Sequence, residues 1–133
     1  MAFVWPVRVY WEDTDAGGVV YYANYLNFLE RARSEWLRAL GFEQDVLQAE
    51  SGVAFVVRRV EIDYRAPARF NDQLSVTVTP GRHGPASIDI EQTVECGGRC
   101  LVQARVKLAC VEAVRFKPVK MPLSLLHALD SIT

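Results

Sequence analysis

The chain has few of the side chains that metal sites and catalytic triads require. It contains two histidines, His83 and His127, and three cysteines, at positions 96, 100 and 110. The cysteines lack the paired spacing of zinc ligands, so we expect no metal. An odd number favours reduced thiols that pack as small apolar groups, although Cys96 and Cys100 flank Gly97-Gly98 and could face each other across a hairpin. With both histidines late in the chain, no Ser-His-Asp set is evident.

Long apolar runs and charge of one sign are also absent. No stretch approaches the roughly 18 consecutive apolar residues of a membrane span, and the first residues lack the basic region of a signal peptide. The 15 Lys and Arg residues nearly balance 16 Asp and Glu residues, and no polybasic run suggests nucleic acid as a partner. We therefore expect residues 1–133 to form a single cytoplasmic domain that neither crosses a membrane nor binds nucleic acid.

One helix and several one-sided strands are predicted by periodicity. From Ala23 to Leu40 apolar residues recur at helical spacing, and Gly41 supplies a stop signal. Six polar residues mostly occupy the opposite side of this helix: Glu30, Arg31, Arg33, Ser34, Glu35 and Arg38. A short helix is plausible from Gln44 to Ser51. Val4 to Tyr10 reads as a strand in which Pro6 indicates an edge or a bulge.

From Val53 onward the period becomes two, which predicts four half-buried strands. In the first of them Val56, Val60, Ile62 and Tyr64 share the apolar face. Gly97-Gly98 is a hairpin signal, and Gly81 to Pro85 predicts a longer turn. Only the helix from Ala23 is long enough to cover the apolar face of such a sheet. The expected architecture is therefore α+β, an antiparallel sheet wrapped around one long central helix, which is the hotdog fold. The polar sheet face could serve as a subunit contact.

Residues 12–25 carry the clearest chemical pattern in the sequence. Asp13 and Asp15 precede Gly17-Gly18, and the long helix follows at once. The first amides of a helix have no internal partner and carry partial positive charge, so they suit an oxyanion. A carboxylate beside them supplies a base, a combination that favours acyl transfer. Asp15 could instead cap the helix or shape the loop. For Asp13 we expect structural hydrogen bonding.

The chain resembles a known enzyme family over nearly its whole length. The runs that carry the resemblance are RVYWEDTDAGGVVYYANYL from Arg8, ERARSEWL from Glu30, VAFVVRR from Val53, YRAPAR from Tyr64 and FKPVKMP from Phe116. They are similar to the acyl-CoA thioesterases found with the Tol-Pal system and, more distantly, to 4-hydroxybenzoyl-CoA thioesterase. The resemblance implies a catalytic carboxylate at Asp15 and an oxyanion donor in the backbone N–H of Tyr22. Many Tol-Pal-associated relatives carry His at that position.

Thioester hydrolysis fits these two groups without a triad. The leaving thiolate has a conjugate acid with a pKa near 8.5, as for cysteine, so it departs without strong protonation. A carboxylate acting as general base or as nucleophile, with donors for the oxyanion, is sufficient. The acyl-thioester dehydratases of the same fold are disfavoured because the loop has no histidine. A non-catalytic scaffold that binds acyl-CoA or acyl-carrier protein beside the envelope machinery is the remaining alternative.

Substrate contacts are predicted at six further positions. Gly18 permits close approach of the substrate, and Tyr25 lies where the helix end could line a pocket, although core packing is also expected of it. Coenzyme A is anionic, so basic residues should lie at its entry; the candidates are Arg82, His83, Arg58 and Arg59. The turn at Arg82 and His83 aligns with one that binds the nucleotide in 4-hydroxybenzoyl-CoA thioesterase. The resemblance also implies a homodimer or a dimer of dimers (a homotetramer), with sites between subunits and no cofactor.

Overall fold

The computed structural model describes residues 2–132, which form one five-stranded antiparallel sheet and three helices. The strands are β1 (Phe3–Arg8), β2 (Val53–Tyr64), β3 (Gln73–His83), β4 (Ser87–Cys96) and β5 (Arg99–Glu112). The helices are α1 (Tyr25–Ala39), α2 (Gln44–Ser51) and α3 (Leu123–Ile132), and short 3₁₀ turns span Trp11–Asp13 and Tyr22–Asn24. The sheet order is β1-β3-β4-β5-β2. This is the predicted hotdog architecture, and it is confirmed.

Helix α1 supplies the centre of the core. Phe28, Leu29 and Ala32 have no exposed surface, and the helix packs on β1 and β3. Tyr25 and Trp36 lie on the same buried stripe, as the helical spacing predicts. Arg33 departs from the prediction that it faces solvent. Its side chain is buried and donates to Gln92 on β4, a partner that no local pattern could reveal.

The two edges of the sheet are formed by β1 and β2. Pro6 lies in β1, an edge strand, where its missing N–H costs no ladder bond. The predicted strand from Val4 to Tyr10 ends earlier, at Arg8, because a 3₁₀ turn begins at Trp11. Strand β2 pairs with β5 along one edge, and within residues 2–132 no strand pairs with its other edge. Helix α2 packs on β2, and the ring of Tyr25 on α1 contacts Tyr64 at the end of the strand. This uncovered strand bears on the site below.

A β-bulge in β2 places Val56 on the opposite face of the sheet from the one that the sequence predicts. Val57 pairs with Leu108 and Arg59 with Lys107, so Arg58 is an extra residue in the strand. Before the bulge, Phe55 and Val57 oppose the buried Cys110 and Leu108, whereas Val56 opposes Ala109. Val56 therefore lies on the opposite face from Val60, Ile62 and Tyr64. The same bulge explains why Arg58 interrupts the apolar pattern.

Three further differences concern the turns and the C-terminal segment. Strand β3 extends to His83, so the predicted turn from Gly81 begins later and an irregularity in register falls between Pro80 and His83. In the β4–β5 hairpin, Cys96 opposes Arg99 while Cys100 opposes Glu95, so the two thiols do not face each other across the strands. Helix α3, which packs on β3, is absent from the sequence-based prediction.

Candidate active site

Asp13 ties the loop to the start of the helical segment. Its side chain is buried and accepts hydrogen bonds from the Tyr10 N–H and from Asn24 Nδ2, both at 2.8 Å. Its carbonyl oxygen accepts the Tyr21 N–H at 2.9 Å. Both carboxylate oxygens are thus engaged in holding two chain segments together. Asp13 has the structural role that the sequence predicts.

Asp15 lies at the tip of a small exposed hairpin closed by the bridge between Thr14 and Val20. Asp15 Oδ1 accepts the Gly17 N–H at 2.8 Å, and the Asp15 carbonyl oxygen accepts the Gly18 N–H at 3.0 Å. Gly18 has φ +77°, a conformation that favours glycine. The turn fixes one carboxylate oxygen by a bond within the loop. Within residues 2–132 no side-chain bond engages the other oxygen, Oδ2.

Tyr22 opens the 3₁₀ turn that leads into α1, so its N–H is among the first amides of the helical segment. Its carbonyl oxygen accepts a hydrogen bond from Tyr64 Oη at 3.0 Å, and its ring, which is 62% exposed, meets the Tyr64 ring edge-on. The Tyr64 hydroxyl thereby anchors the turn to the end of β2. The side chain of Tyr22 is free to border an open cavity.

A cavity of about 270 Å³ adjoins this turn. It is lined by Val20, Tyr22, Tyr25, Tyr64, Arg65, Ala66 and Pro67. Tyr25 is 3% exposed, and its hydroxyl oxygen accepts the Ala68 N–H at 2.9 Å. Burial raises the pKa of Tyr25, so this hydroxyl stays neutral. Tyr25 therefore combines core packing with a place in the cavity wall, but Asp15 does not line this cavity in the single chain.

The four basic candidates separate into different environments. Arg58 is exposed in the bulge, and Arg59 forms an ion pair with Glu61 at 2.7 Å. Arg59 and Arg82 both line a groove of about 510 Å³. Its other charged residues include Arg105, paired with Glu91, and Lys107, paired with Asp89. His83 is turned elsewhere, because its Nε2 lies 2.7 Å from Asp130 Oδ1 on α3. The structure therefore brings Arg59 and Arg82 together and engages His83 in a contact with the C-terminal helix.

Comparison with known proteins identifies the family. Residues 9–129 match the model of the thioesterase-like superfamily. The chain belongs to this superfamily. It is 48% identical to the acyl-CoA thioesterase YbgC of Haemophilus influenzae, over 90% of this chain and 88% of that protein. It is 46% identical to the acyl-CoA thioester hydrolase YbgC of Escherichia coli, over 92% of each chain.

Solved structures of the superfamily share the architecture. A probable thioesterase from Bartonella henselae, 38% identical, superposes with a TM-score of 0.87 over 92% of this chain and all of that chain. A 1,4-dihydroxy-2-naphthoyl-CoA thioesterase from Synechocystis, 22% identical, has a TM-score of 0.90 and supports the fold alone. Together with the sheet and helix described above, these likenesses confirm the hotdog fold.

The sequence-based reasoning missed one residue at the site and one at a separate cavity. Tyr64 reads as an ordinary apolar strand residue, yet its hydroxyl holds the turn at Tyr22. Tyr64 is the last residue of β2, just before Arg65-Ala66-Pro67, and this position at a strand end could have indicated a role beyond packing. Arg33 reads as a solvent-facing helix residue, yet it lines a second cavity. Across residues 2–132, no helix is both long and apolar enough to span a bilayer.

Proposed function

We propose that this protein is an acyl-CoA thioesterase that hydrolyses an acyl-CoA to the free acid and CoA. The observation that carries the proposal is one short segment, in which the exposed Asp15 carboxylate precedes the first amides of the helix by seven residues. The names of the relatives at 46–48% identity support the same reaction. The bond from Gly17 supports it further, because it orients the carboxylate of Asp15.

The reaction uses these groups in a simple order. In the general-base variant, the Asp15 carboxylate removes a proton from water as the water oxygen forms a bond to the thioester carbonyl carbon. In the nucleophilic variant, the carboxylate itself attacks, and after the thiolate leaves, water hydrolyses the acyl–Asp15 anhydride to the free acid and restores the carboxylate. The Tyr22 N–H donates to the developing oxyanion. Collapse of the tetrahedral species breaks the C–S bond, and the CoA thiolate leaves and takes up a proton. Because the donor belongs to the backbone, it persists whether the side chain is Tyr or His.

A second copy of the chain supports the site in this proposal. Strand β2 is an uncovered edge of twelve residues, on which Val57 is 47% and Tyr64 is 42% exposed. Long exposed edges with apolar side chains are normally covered. Two β2 strands joined antiparallel around a two-fold axis would bury these residues and close the cavity at Tyr22. The polar face of the sheet, with its paired charges, could form a second contact between two such dimers and give a dimer of dimers.

The dimer yields a direct prediction. We expect light scattering after gel filtration to give at least twice the mass of one chain. Replacement of Val60 by Pro, at the middle of β2, should weaken the dimer and lower activity per chain, because Pro disturbs the edge strand. Pro6 already occupies the other edge, so a matched change there, Val4→Pro, should leave the mass unchanged. A monomeric wild-type protein with full activity would contradict this arrangement.

Arg82 and Arg59 are proposed to hold the phosphates of CoA. Within residues 2–132 Arg82 has no ion-pair partner, whereas Arg59 is shared with Glu61. We expect Arg82→Gln to raise KM for acyl-CoA about tenfold, since hydrogen bonds to charged groups contribute about 1.5–3 kcal/mol. The same acyl group on N-acetylcysteamine, which has no phosphate, should be hydrolysed with unchanged KM. Equal effects on both substrates would refute a phosphate contact.

A panel of acyl-CoAs tests the proposed function itself. Steady-state release of CoA thiol should be measured for short aliphatic, long aliphatic and aromatic acyl groups, and then for acyl-carrier-protein thioesters. Turnover of any of them supports the thioesterase. Tight binding without turnover would favour the non-catalytic scaffold beside the Tol-Pal envelope machinery, and enoyl products would favour a dehydratase.

A further inference from the structure

Arg33 is a buried cation without an acidic hydrogen-bond partner. It is 8% exposed, and its Nη1 donates to Gln92 Oε1 at 3.0 Å. Gln92 has no exposed surface and donates to the carbonyl oxygens of Leu29 and Thr77. One nitrogen of the guanidinium is therefore bonded to the neutral side-chain amide of Gln92. A guanidinium has five N–H donors, so most of its capacity remains for another acceptor.

The nearest acid does not neutralise Arg33 by a direct bond. Glu30 lies one helical turn away, but its Oε2 accepts the Ser34 hydroxyl at 2.7 Å. Ser34 Oγ in turn accepts Gln44 Nε2 at 3.0 Å. Within residues 2–132 no carboxylate forms an ion pair with Arg33. Burial lowers its pKa, although Glu30 acts in the opposite direction, and an arginine remains charged.

The cation borders a cavity with one apolar side and one polar side. The cavity has a volume of about 280 Å³ and lies between α1, α2 and the inner face of β2. Leu37, Phe55, Val57 and Leu108 form its apolar walls, and Arg33 contributes the buried positive charge. The exposed rim of the cavity is polar and is formed by Glu30, Ser34 and Gln44, which the hydrogen bonds above join to one another. A bond between the buried guanidinium and a carboxylate is charge-assisted, and the planar fork of Arg matches the two oxygens of that group.

The position of this cavity relates it to the reaction centre. Helix α1 runs antiparallel to β2, so Tyr22 lies near Tyr64 while Arg33 and Leu37 lie near Phe55 and Val57. In the proposed two-fold dimer the β2 strands pair antiparallel, which sets the Phe55 end of one copy beside the Tyr64 end of the other. The Arg33 cavity of one subunit thereby faces the Tyr22 turn of its partner.

We propose that Arg33 is a specificity-determining residue that binds a carboxylate at the far end of the acyl group, so that the preferred substrates are acyl-CoAs of dicarboxylic acids. This inference rests on the proposed thioesterase function. The substrate carboxylate accepts hydrogen bonds from the guanidinium of Arg33, whose protein partner, Gln92, is neutral. The apolar walls contact the methylene chain between the thioester and this terminal group.

Matched substrate pairs test the inference. Glutaryl-, adipoyl- and suberyl-CoA are compared with valeryl-, hexanoyl- and octanoyl-CoA, which have the same chain lengths and end in a methyl group. We expect wild type to have the higher kcat/KM for the carboxylate in at least one pair. Arg33→Met should lower that kcat/KM roughly tenfold or more and leave the methyl-ended partner within about twofold, as expected for one charged hydrogen-bond site.

Two further variants keep the test decisive. Arg31→Met removes a charge from the exposed side of the same helix and should leave both substrates unchanged. If Arg33→Met does not fold, Arg33→Lys keeps the charge but loses the planar fork, and it should reduce only the carboxylate-ended rate. Wild-type preference for the methyl-ended member of every pair, or equal loss on both substrates, would overturn the role of Arg33. Failure to hydrolyse any acyl-CoA would instead overturn the thioesterase proposal.

Discussion

Asp15→Asn is expected to reduce kcat by a factor of roughly 100 to 10,000, the usual contribution of a positioned base. The amide has nearly the same shape and can still accept the Gly17 N–H, which the carboxylate accepts at 2.8 Å. It can neither remove a proton from water nor attack the acyl carbon. KM and the unfolding midpoint should therefore change little. Steady-state release of CoA from the best substrate of the panel measures the loss.

Glu12→Gln provides the matched control for Asp15→Asn. Glu12 is an exposed carboxylate of the same loop, so its replacement removes the same charge from the same neighbourhood. We expect near wild-type turnover from this variant. If both variants lose activity equally, the loop charge as a whole is responsible. If Asp15→Asn hydrolyses as fast as wild type, the chemistry assigned to this carboxylate is wrong.

Phe28→Ala should cause the largest loss of stability among single changes in α1. Phe28 has no exposed surface and meets the Tyr25 ring edge-on at 6.0 Å between centroids. Truncation of a buried aromatic typically lowers the free energy of unfolding by about 3–5 kcal/mol, through lost burial and the cavity that remains. Urea unfolding at a fixed protein concentration measures the change, since association of chains affects apparent stability.

Leu26→Ala is the corresponding control for Phe28→Ala. Leu26 belongs to the same helix but is 43% exposed, so its truncation removes less burial and leaves no enclosed cavity. We expect a loss of less than about 1 kcal/mol, near the usual range for surface positions. A Phe28 variant as stable as the Leu26 variant would show that α1 is not the centre of the core.

The architecture was predictable because it follows from local periodicity. The stripe through Phe28 and Trp36 required a buried helix face, and Pro6 indicated an edge strand in its observed place. Helix α3 was not predicted, although the sequence contains a signal for its start. Pro122 stands immediately before Leu123, where proline favours a helix start, but the short apolar segment shows little amphipathic contrast.

Long-range pairings could not be predicted in the same way. The bulge at Arg58 depends on the register between β2 and β5, which the alternating pattern of one strand does not contain. Burial of Arg33 depends on Gln92, fifty-nine positions away. The motif around Asp15 predicted a carboxylate close to helix amides. It did not predict that the Gly17 N–H orients this carboxylate, or that the Tyr64 hydroxyl anchors the turn at Tyr22.

The most direct test of the whole account is a crystal structure of Asp15→Asn with a slowly hydrolysed acyl-CoA bound. We predict that the thioester carbonyl oxygen lies about 2.7–3.1 Å from the Tyr22 backbone nitrogen, the range of an oxyanion donor. The side chain at position 15 should approach the carbonyl carbon directly or through one water. A carbonyl group that points away from this amide, with residue 15 in contact only with solvent, would contradict the account.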